Sequence, residues 1–508
     1  MNCIITIEMG TNAVRIFAFK IDGTLIGSSK GHYPTFHDEQ DYSEQDPEQM
    51  FITMLYVLKN ILIEQIHPQK YRVDSICFSA SMHSLLAVDK KGVPIGNAIT
   101  WADNRGKKEA SDLKNSDLGK EIYSLTGTPI HPMSPLVKIA WIRNNLPDRF
   151  KKTWKFLSIK SYIIQQLTGE YIIDQSIASA TGLFNIHDLQ WEQKSLDYAG
   201  INSDKLPALC EVFFSDLKLR KEYLNTLKLD VATRIIVGSS DGCMATLGAG
   251  IWDGNKATIT VEDSGALRVV SDKPIHDEKQ RLFNYVLTRQ HIISGGPTNN
   301  GGLVFDWFNT QFGDSKTGFN MDLAAEGLIE EANEVPAGSN GALFLPYLLG
   351  ERAPIWDANA RGVYFGLNIR HERKHLVRAT IEGILYGIYN IGQSMQTHRT
   401  IESLSLNGSF ATIPFCAQMI SDIFNKPVGI ISERNSVGKG AFLLSAINMG
   451  IYKDIDEAAK SVTLPVDYKP NKQNHKTYSQ YFEVFQRLSV KLADEFEAIS
   501  ALQQENGS

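Results

Sequence analysis

The sequence predicts an α/β fold in which a mixed sheet is covered by helices and the chain forms more than one domain. Two observations carry this prediction. The chain opens on short β-rich runs and then alternates helical and strand patterns, and one strand pattern recurs after half of the 508 residues. At about 150 residues per domain, a chain of this length is expected to contain two to four domains.

The first thirty residues predict two successive hairpins. The β-rich run 3–7 is followed by a break at 8–12, and the apolar run 14–19 predicts the returning strand. Asp22-Gly23 is a strong signal for the next tight turn.

A helix and a buried strand are predicted next. Asp46 is a suitable N-cap and Pro47 suits the first helical turn, and the apolar residues that follow as far as Leu62 fall on one helical face. The apolar run 73–78 predicts a strand that ends at the small polar segment 79–84.

A weak internal repeat predicts a duplicated architecture. Ile5-Thr6-Ile7-Glu8 recurs as Ile259-Thr260-Val261-Glu262, an offset of 259 − 5 = 254 residues, and a glycine follows each copy within three residues. The shared pattern of strand, acid, glycine and strand favours duplication. We therefore predict an N-terminal domain over 1–247, a C-terminal domain over 248–455 and a helical tail over 456–508.

Composition excludes several classes of protein. The hydrophobic fraction of 43% is ordinary for a globular protein, no apolar run reaches the length of a membrane helix, and the N-terminus lacks the layout of a signal peptide. A net charge of −6 without a basic tract argues against nucleic-acid binding. Five widely spaced cysteines predict reduced thiols, and hence a cytoplasmic enzyme: Cys3, Cys77, Cys210, Cys243 and Cys416.

The glycine turns that follow the two copies of the repeat, and one aspartate, are the first candidates for a functional site. A glycine turn at the end of a strand brings backbone N–H groups close to an anion, although most such turns are plain hairpins and no Walker or dinucleotide motif is present. Asp241 ends the apolar run 234–240 and precedes Gly242, which suits a general base that accepts a hydroxyl proton. The local pattern alone favours a simple turn aspartate.

Two histidines are further candidates. His83 follows the strand predicted over 73–78, and His131 lies in a loop that three prolines within seven residues restrain. A satisfied structural histidine and a plain connecting loop are the alternatives for these positions. No histidine pair has metal-ligand spacing.

Taken in order, the motifs resemble those of the FGGY carbohydrate kinases, over residues 4–450. Within that family the chain is most similar to the gluconate kinases. The segments that carry the resemblance are 44–47 (EQDP), 82–84 (MHS), 100–105 (TWADNR), 126–136 (TGTPIHPMSPL), 295–302 (GGPTNNGG) and 346–354 (PYLLGERAP).

This resemblance implies a duplicated sugar kinase/actin-like (ribonuclease H-like) fold with two domains around a central cleft. It implies phosphoryl transfer from ATP with Mg²⁺ to a terminal hydroxyl of a sugar acid, with Asp241 as the catalytic base. From charge and composition, no nucleic-acid or membrane partner is expected. Substrate binding is then expected from Met82, His83, Trp101, His131 and Asp241. Nucleotide binding is expected from Gly10, Thr11, Asn12, Arg15, Ser264, Gly265, Asn300, Gly301, Gly408 and Ser409, and metal binding from Glu8.

The sequence departs from the family pattern mainly on the nucleotide side. The departures are Glu8, Asn12-Ala13, Arg15, Glu262-Asp263-Ser264, Gly408-Ser409 and Lys439. We therefore keep two alternatives to a gluconate kinase: a kinase for another polyol or ketose such as xylulose, and a sugar-binding protein without catalysis. The oligomeric state stays open, with a homodimer as one alternative.

Overall fold

The computed structural model describes residues 1–37, 41–252, 254–313, 321–431, 435–462 and 467–506. Its strands are β1 Asn2–Met9, β2 Ala13–Lys20, β3 Leu25–His32, β4 Glu44–Gln45, β5 Arg72–Ala80, β6 Leu86–Val88, β7 Ala98–Ile99, β8 Lys155–Leu157, β9 Ile172–Asp174, β10 Phe184–Asn185, β11 Gln190–Trp191, β12 Ala208–Cys210, β13 Arg234–Ser240, β14 Lys256–Val261, β15 Gly265–Ser271, β16 Phe283–Thr288, β17 His291–Thr298, β18 Leu343–Leu345, β19 Val363–Phe365, β20 Ser403–Gly408 and β21 Val428–Ile430.

The helices alternate with these strands along most of the chain. They are α1 Pro47–Ile61, α2 Lys107–Lys114, α3 Asp117–Thr126, α4 Pro135–Asn145, α5 Pro147–Lys152, α6 Ile159–Thr168, α7 Gln175–Ser179, α8 Gln193–Ala199, α9 Lys221–Leu227, α10 Asp241–Gly248, α11 Gly302–Phe312, α12 Met321–Asn333, α13 Arg373–Gln396, α14 Pro414–Phe424, α15 Ser436–Asn448, α16 Ile455–Lys460, α17 Lys472–Lys491 and α18 Ala493–Asn506. Among the described residues, no helix is both long and apolar enough to span a membrane.

The first sheet has five strands in the order β13-β5-β1-β2-β3. β1 pairs in parallel with β5 and antiparallel with β2, as the predicted hairpin requires, and β13 extends the parallel side. Successive residues of β1 point to opposite faces. Ile5 therefore packs in the core that contains Met54 of α1, whereas Ile4 packs in the core that contains Leu443 of α15.

The second sheet repeats this topology. Its order is β16-β17-β15-β14-β20-β21, and β14 pairs antiparallel with β15 and parallel with β20. The strands β21, β20, β14, β15 and β17 thus occupy the places that β13, β5, β1, β2 and β3 hold in the first sheet. The short sequence repeat lies in β1 and β14, the corresponding strands of the two copies.

The chain divides into two compact units, each assembled from three segments. Unit 1 contains Met1–Trp252, Val270–Ser294 and Asn435–Thr463, and unit 2 contains Asp253–Val269, Gly295–Arg434 and Leu464–Ser508. The first sheet lies in unit 1. The three linear domains predicted from the sequence stay a prediction.

The start of α1 has the cap and the first-turn proline that the sequence predicts. The carboxylate of Asp46 accepts hydrogen bonds from the N–H groups of Glu48 and Gln49, and Pro47 is the first residue of α1. These contacts satisfy backbone donors that have no partner inside the helix.

Candidate functional site

Three predicted site segments lie at one edge of the first sheet. The parallel strands β1, β5 and β13 end at this edge, and Ser79 of β5 is in register with Glu8 on one side and Ser239 on the other. Carboxyl ends of parallel strands are the usual place for a ligand site in α/β sheets. The register therefore brings Glu8, the segment 81–83 and Asp241 to the same edge of unit 1.

Asp241 is the first residue of helix α10. Ser240 caps this helix by accepting a hydrogen bond from the N–H of Cys243, and Asp241 Oδ1 accepts one from the N–H of Gly242 at 2.6 Å. The positive end of the helix dipole favours a negatively charged side chain at this position. Asp241 is thus an oriented, half-buried carboxylate on a helix N-terminus and not a surface turn residue.

The turn after β1 is fixed by side chains from other parts of unit 1. Trp101 Nε1 donates to Thr11 Oγ1 at 3.0 Å, and Gln45 Nε2 donates to the carbonyl of Thr11 at 2.5 Å. Tyr33 donates its hydroxyl proton to the carbonyl of Gly10. The structure therefore joins Trp101, predicted on the sugar side, to the turn predicted on the nucleotide side.

Glu8 and Arg15 face each other across the hairpin of β1 and β2. They are paired residues in the strand register, and Arg15 Nη1 lies 2.9 Å from Glu8 Oε1. Mg²⁺ is commonly held by one or two carboxylates together with substrate phosphates. One carboxylate at the strand end fits such a site, and the described residues contain no group of three or more His, Cys, Asp or Glu that would form a protein-only metal site.

His83 has a defined tautomer in the unit 1 site. Its Nδ1 lies 2.8 Å from the carbonyl of Ala180, and because a carbonyl only accepts, the proton of the neutral ring lies on Nδ1. Its Nε2 then accepts from the hydroxyl of Tyr285 at 3.2 Å. Both ring nitrogens of His83 therefore contact protein groups. The preceding residue, Met82, is half-buried.

Lys138 holds the backbone of two segments that carry predicted site residues. Its ammonium group donates to the carbonyl of His83 at 2.6 Å and to that of Thr100, which precedes Trp101, at 2.7 Å. Burial lowers the pKa of Lys138 to about 7, and the charge of Asp103 acts in the opposite direction. Sequence reasoning missed this residue, although a lysine in the otherwise apolar run 136–142 was a visible signal.

His131 has the opposite hydrogen-bond pattern from His83. Its Nδ1 accepts from the N–H of Met133 at 3.2 Å, which places the proton of the neutral ring on Nε2. All residues of the loop 127–134 are buried. In the neutral ring, Nε2 of His131 is therefore an N–H donor, the kind of group that can bind a carboxylate.

Arg105, a cation in the segment that carries Trp101, is engaged in internal ion pairs. Its guanidinium group donates to Asp103 and to Glu44 at 2.7 Å, and it lies 3.6 Å from the ring centroid of Tyr42. These partners give Arg105 a structural role in unit 1.

In unit 2, the predicted nucleotide-binding residues come together around the turn that follows β14. The N–H of Gly302 donates to the carbonyl of Glu262 at 2.7 Å, and a Cβ added at Gly301 would lie 2.5 Å from the carbonyl oxygen of Ser264. Only glycine permits this approach of two backbone segments. Ser409 Oγ donates to the carbonyl of Val261 at 3.0 Å, so the end of β20 lies beside the same turn.

Gly265 and Gly408 are also held close to other backbone and side-chain atoms in unit 2. A Cβ added at Gly265 would lie 2.9 Å from the methyl group of Thr298, and one at Gly408 would lie 2.2 Å from the carbonyl oxygen of Val261. Gly408 additionally has a φ of 89°, in the left-handed region. Both positions therefore need glycine for packing in this copy of the fold.

A buried carboxylate that the sequence did not single out organises the loop before α11. Glu351 accepts from Thr298 Oγ1, the N–H of Asn299, Asn300 Nδ2 and the N–H of Arg352. Burial raises the pKa of Glu351, although its four donors act in the opposite direction. The side chain of Asn300 is thereby part of the protein's own network, next to Gly301.

The two acids of the unit 2 turn are exposed. Glu262 and Asp263 both face solvent, although their turn is the sharpest departure from the expected pattern. Partial burial raises the pKa of Asp306 on α11, and the charge of Asp263 adds to this rise. The negative charge of Asp263 therefore disfavours the charged form of Asp306.

Comparison with known proteins identifies the class to which this fold and site belong. Residues 3–248 match the model of the N-terminal domain of the FGGY family of carbohydrate kinases, and residues 257–449 match that of its C-terminal domain. The chain belongs to the FGGY family of carbohydrate kinases. It is therefore a sugar kinase, a phosphotransferase that acts on a small-molecule sugar substrate.

Individual relatives cover nearly the whole chain. It is 35% identical over 503 residues to a gluconokinase of Bacillus subtilis (strain 168), covering 98% of each chain. The fold is similar to the crystal structure of gluconate kinase from Lactobacillus acidophilus, with a TM-score of 0.91 and 32% identity over 98% of this chain and 99% of that one. A ligand-bound xylulose kinase from the same organism gives a TM-score of 0.92 and 32% identity over 98% and 100%. The predicted sugar kinase/actin-like fold is thereby confirmed.

Proposed function

We propose that this protein transfers the terminal phosphoryl group of ATP to the terminal hydroxyl of D-gluconate, giving 6-phosphogluconate. The observation that carries the proposal is the Asp241 carboxylate, oriented at the N-terminus of α10 and at the carboxyl end of β13. A base in this class of reaction must lie within hydrogen-bond reach of the hydroxyl that attacks. The names of two of the three relatives above, gluconokinase and gluconate kinase, support the substrate.

Asp241 would accept the hydroxyl proton as the sugar oxygen attacks. Its Oδ1 is held by the N–H of Gly242, and the helix dipole favours the charged form that a base requires. In phosphoryl transfer, positioning and charge stabilisation supply most of the catalysis. Glu8 would hold Mg²⁺, which when bound neutralises charge on the phosphate oxygens.

The two histidines would have different roles in recognition. The N–H that the hydrogen bond from Met133 places on His131 Nε2 suits the carboxylate of gluconate. His83 would instead shape the sugar pocket, because its nitrogens contact Ala180 and Tyr285. This assignment would make His131 a determinant of selectivity for an acid over a neutral sugar.

The turns of the two sheets would contact the nucleotide. In unit 1 these residues are Gly10, Thr11, Asn12 and Arg15, and in unit 2 they are Ser264, Gly265, Asn300, Gly301, Gly408 and Ser409. The close backbone packing at Gly301 and Gly408 fixes the shape of the unit 2 turns.

The test is a coupled ADP-release assay with gluconate, xylulose and glycerol, on the wild type and on Asp241→Asn. We expect the highest kcat/KM for gluconate and a loss of about 10²–10⁴-fold in kcat for the variant, with sugar affinity retained. Asp148→Asn is the matched control, since Asp148 is an exposed aspartate in the first turn of α5.

Two results would contradict parts of the proposal. Near-normal turnover of Asp241→Asn would show that Asp241 is not the base. A higher kcat/KM for xylulose would favour the second candidate, a xylulose kinase, which the similarity to the Lactobacillus acidophilus xylulose kinase supports.

A further inference from the structure

The short helix α7 is anchored in the interior of unit 1. Asp174 caps it by accepting from the N–H of Ile177 at 3.0 Å, and the second oxygen of Asp174 forms an ion pair with Lys160 at 2.7 Å. Both charged side chains are buried. A buried pair of this kind fixes its surroundings, because movement of either partner would leave an uncompensated charge.

One face of α7 holds the residue that precedes the proposed base. Ser176 Oγ donates to Ser240 Oγ at 2.8 Å and accepts from the N–H of Ser240 at 3.1 Å. Ser240 is the last residue of β13 and the cap of α10, and both serines are fully buried. The two hydrogen bonds therefore fix both the backbone and the side chain of the residue next to Asp241.

The other end of α7 holds the segments proposed to bind sugar. The carbonyl of Ser179 accepts from Thr128 Oγ1 at 2.7 Å, in the loop that carries His131, and the next carbonyl, that of Ala180, accepts from His83. Ser179 Oγ accepts from the N–H of Val286 at 2.9 Å and donates to the carbonyl of Ser176. The five residues of α7 and its C-cap residue, Ala180, thus contact the strand end that precedes the base and both predicted histidine segments.

We propose that Ser176 is a positioning residue for Asp241, and that α7 sets the base relative to the sugar-binding segments. This inference rests on the proposed function, because it assumes that Asp241 is the base. Without the Ser176 hydroxyl, the N–H of Ser240 loses its acceptor and the first turn of α10 loses a restraint. An error of about 1 Å in the place of a reacting group lowers the rate by about 10²-fold.

The test is a double-mutant cycle of Ser176→Ala and Asp241→Asn in the full-length protein, with gluconate and ATP. We expect Ser176→Ala alone to lower kcat by about ten- to a hundredfold while KM for gluconate changes by less than about threefold. In the Asp241→Asn background, the same substitution should have no further effect on kcat. Ser195→Ala is the matched control, since Ser195 is a buried helical serine of unit 1 whose hydroxyl has no hydrogen-bond partner among the described residues.

A kcat of Ser176→Ala within twofold of the wild type would overturn the inference. So would an equal loss with and without the Asp241 carboxylate, because that result indicates a general structural effect. If Ser176→Ala does not fold, Ser240→Ala removes the other side chain of the contact and is measured in the same cycle. Normal turnover of Asp241→Asn would overturn the proposed base, whereas an inactive Asp241→Asn with an active Ser176→Ala would overturn only the role of Ser176.

Discussion

Replacing Lys138 by methionine tests the role of a buried ammonium group in unit 1. Lys138 donates to the carbonyls of His83 and Thr100, and burial lowers its pKa to about 7. In an unfolded chain the pKa of a lysine is about 10.4. Methionine has a similar length and no charge, so Lys138→Met removes both the hydrogen bonds and the titration.

The sign and size of the expected effect follow from these two pKa values. Above pH 7 the folded protein has lost the Lys138 proton while the unfolded chain still binds it, so the free energy of unfolding rises with pH. One full proton is worth about 1.36 kcal/mol per pH unit, and the partial titration of Lys138 gives about 2 kcal/mol between pH 7 and pH 9. In Lys138→Met, the free energy of unfolding should lack this increase with pH.

The assay is thermal unfolding of the wild type, Lys138→Met and Lys152→Met at pH 6, 7, 8 and 9. We expect the Tm of the wild type, relative to that of Lys138→Met, to rise by a few degrees between pH 7 and pH 9. Lys152 is exposed on α5, so Lys152→Met should follow the wild type at every pH. A constant difference in Tm between the wild type and Lys138→Met would refute the reasoning.

Three further predictions concern recognition and the nucleotide side. His131→Ala should raise KM for gluconate about tenfold and KM for xylulose much less, in steady-state assays, and an equal rise for both sugars would contradict the assignment. Asp263→Thr should tighten Mg²⁺-ATP binding by at most about fivefold in calorimetry, because an exposed charge 4 Å from a phosphate costs only about 1 kcal/mol in water. Weaker binding at saturating Mg²⁺ would identify Asp263 as a metal ligand. Glu351→Gln should destabilise unit 2 by about 1–3 kcal/mol and weaken ATP binding, because its amide would face two donors, and unchanged ATP affinity would contradict a role in holding Asn300.

Local elements were predictable because their signals lie within a few residues. The cap at Asp46, the turn at Asp22-Gly23 and the strand 73–78 all appear in the structure. The repeat was visible only in β1 and β14, although five strands correspond between the sheets. The remaining strands keep the topology without matching residues, since alternation and hydrogen bonding place few demands on side-chain identity.

The candidate site was less predictable because its contacts join distant parts of the chain. Asp241 could be singled out from its own strand end, but its neighbour Ser240 is held by Ser176, 64 residues earlier. The hydroxyl of Tyr285 reaches His83 across 202 residues. Neither contact could be predicted from the sequence, because a serine or a tyrosine in an apolar segment is usually an ordinary residue of the core.

The segmented construction of unit 1 sets the order in which a ribosome completes it. The core beneath Ile4, Cys77 and Ile236 is closed by α15, whose Leu443 packs against it. From Ser240 at the end of β13 to Ser436 at the start of α15 lie 196 residues, which take about 10–40 s to synthesise at 5–20 residues per second. During that interval this face of the first sheet is packed by α10, whose Met244 belongs to the same core, but not by α15. The apolar residues of this face therefore lack their α15 partners until Asn448, the last residue of α15, has been made.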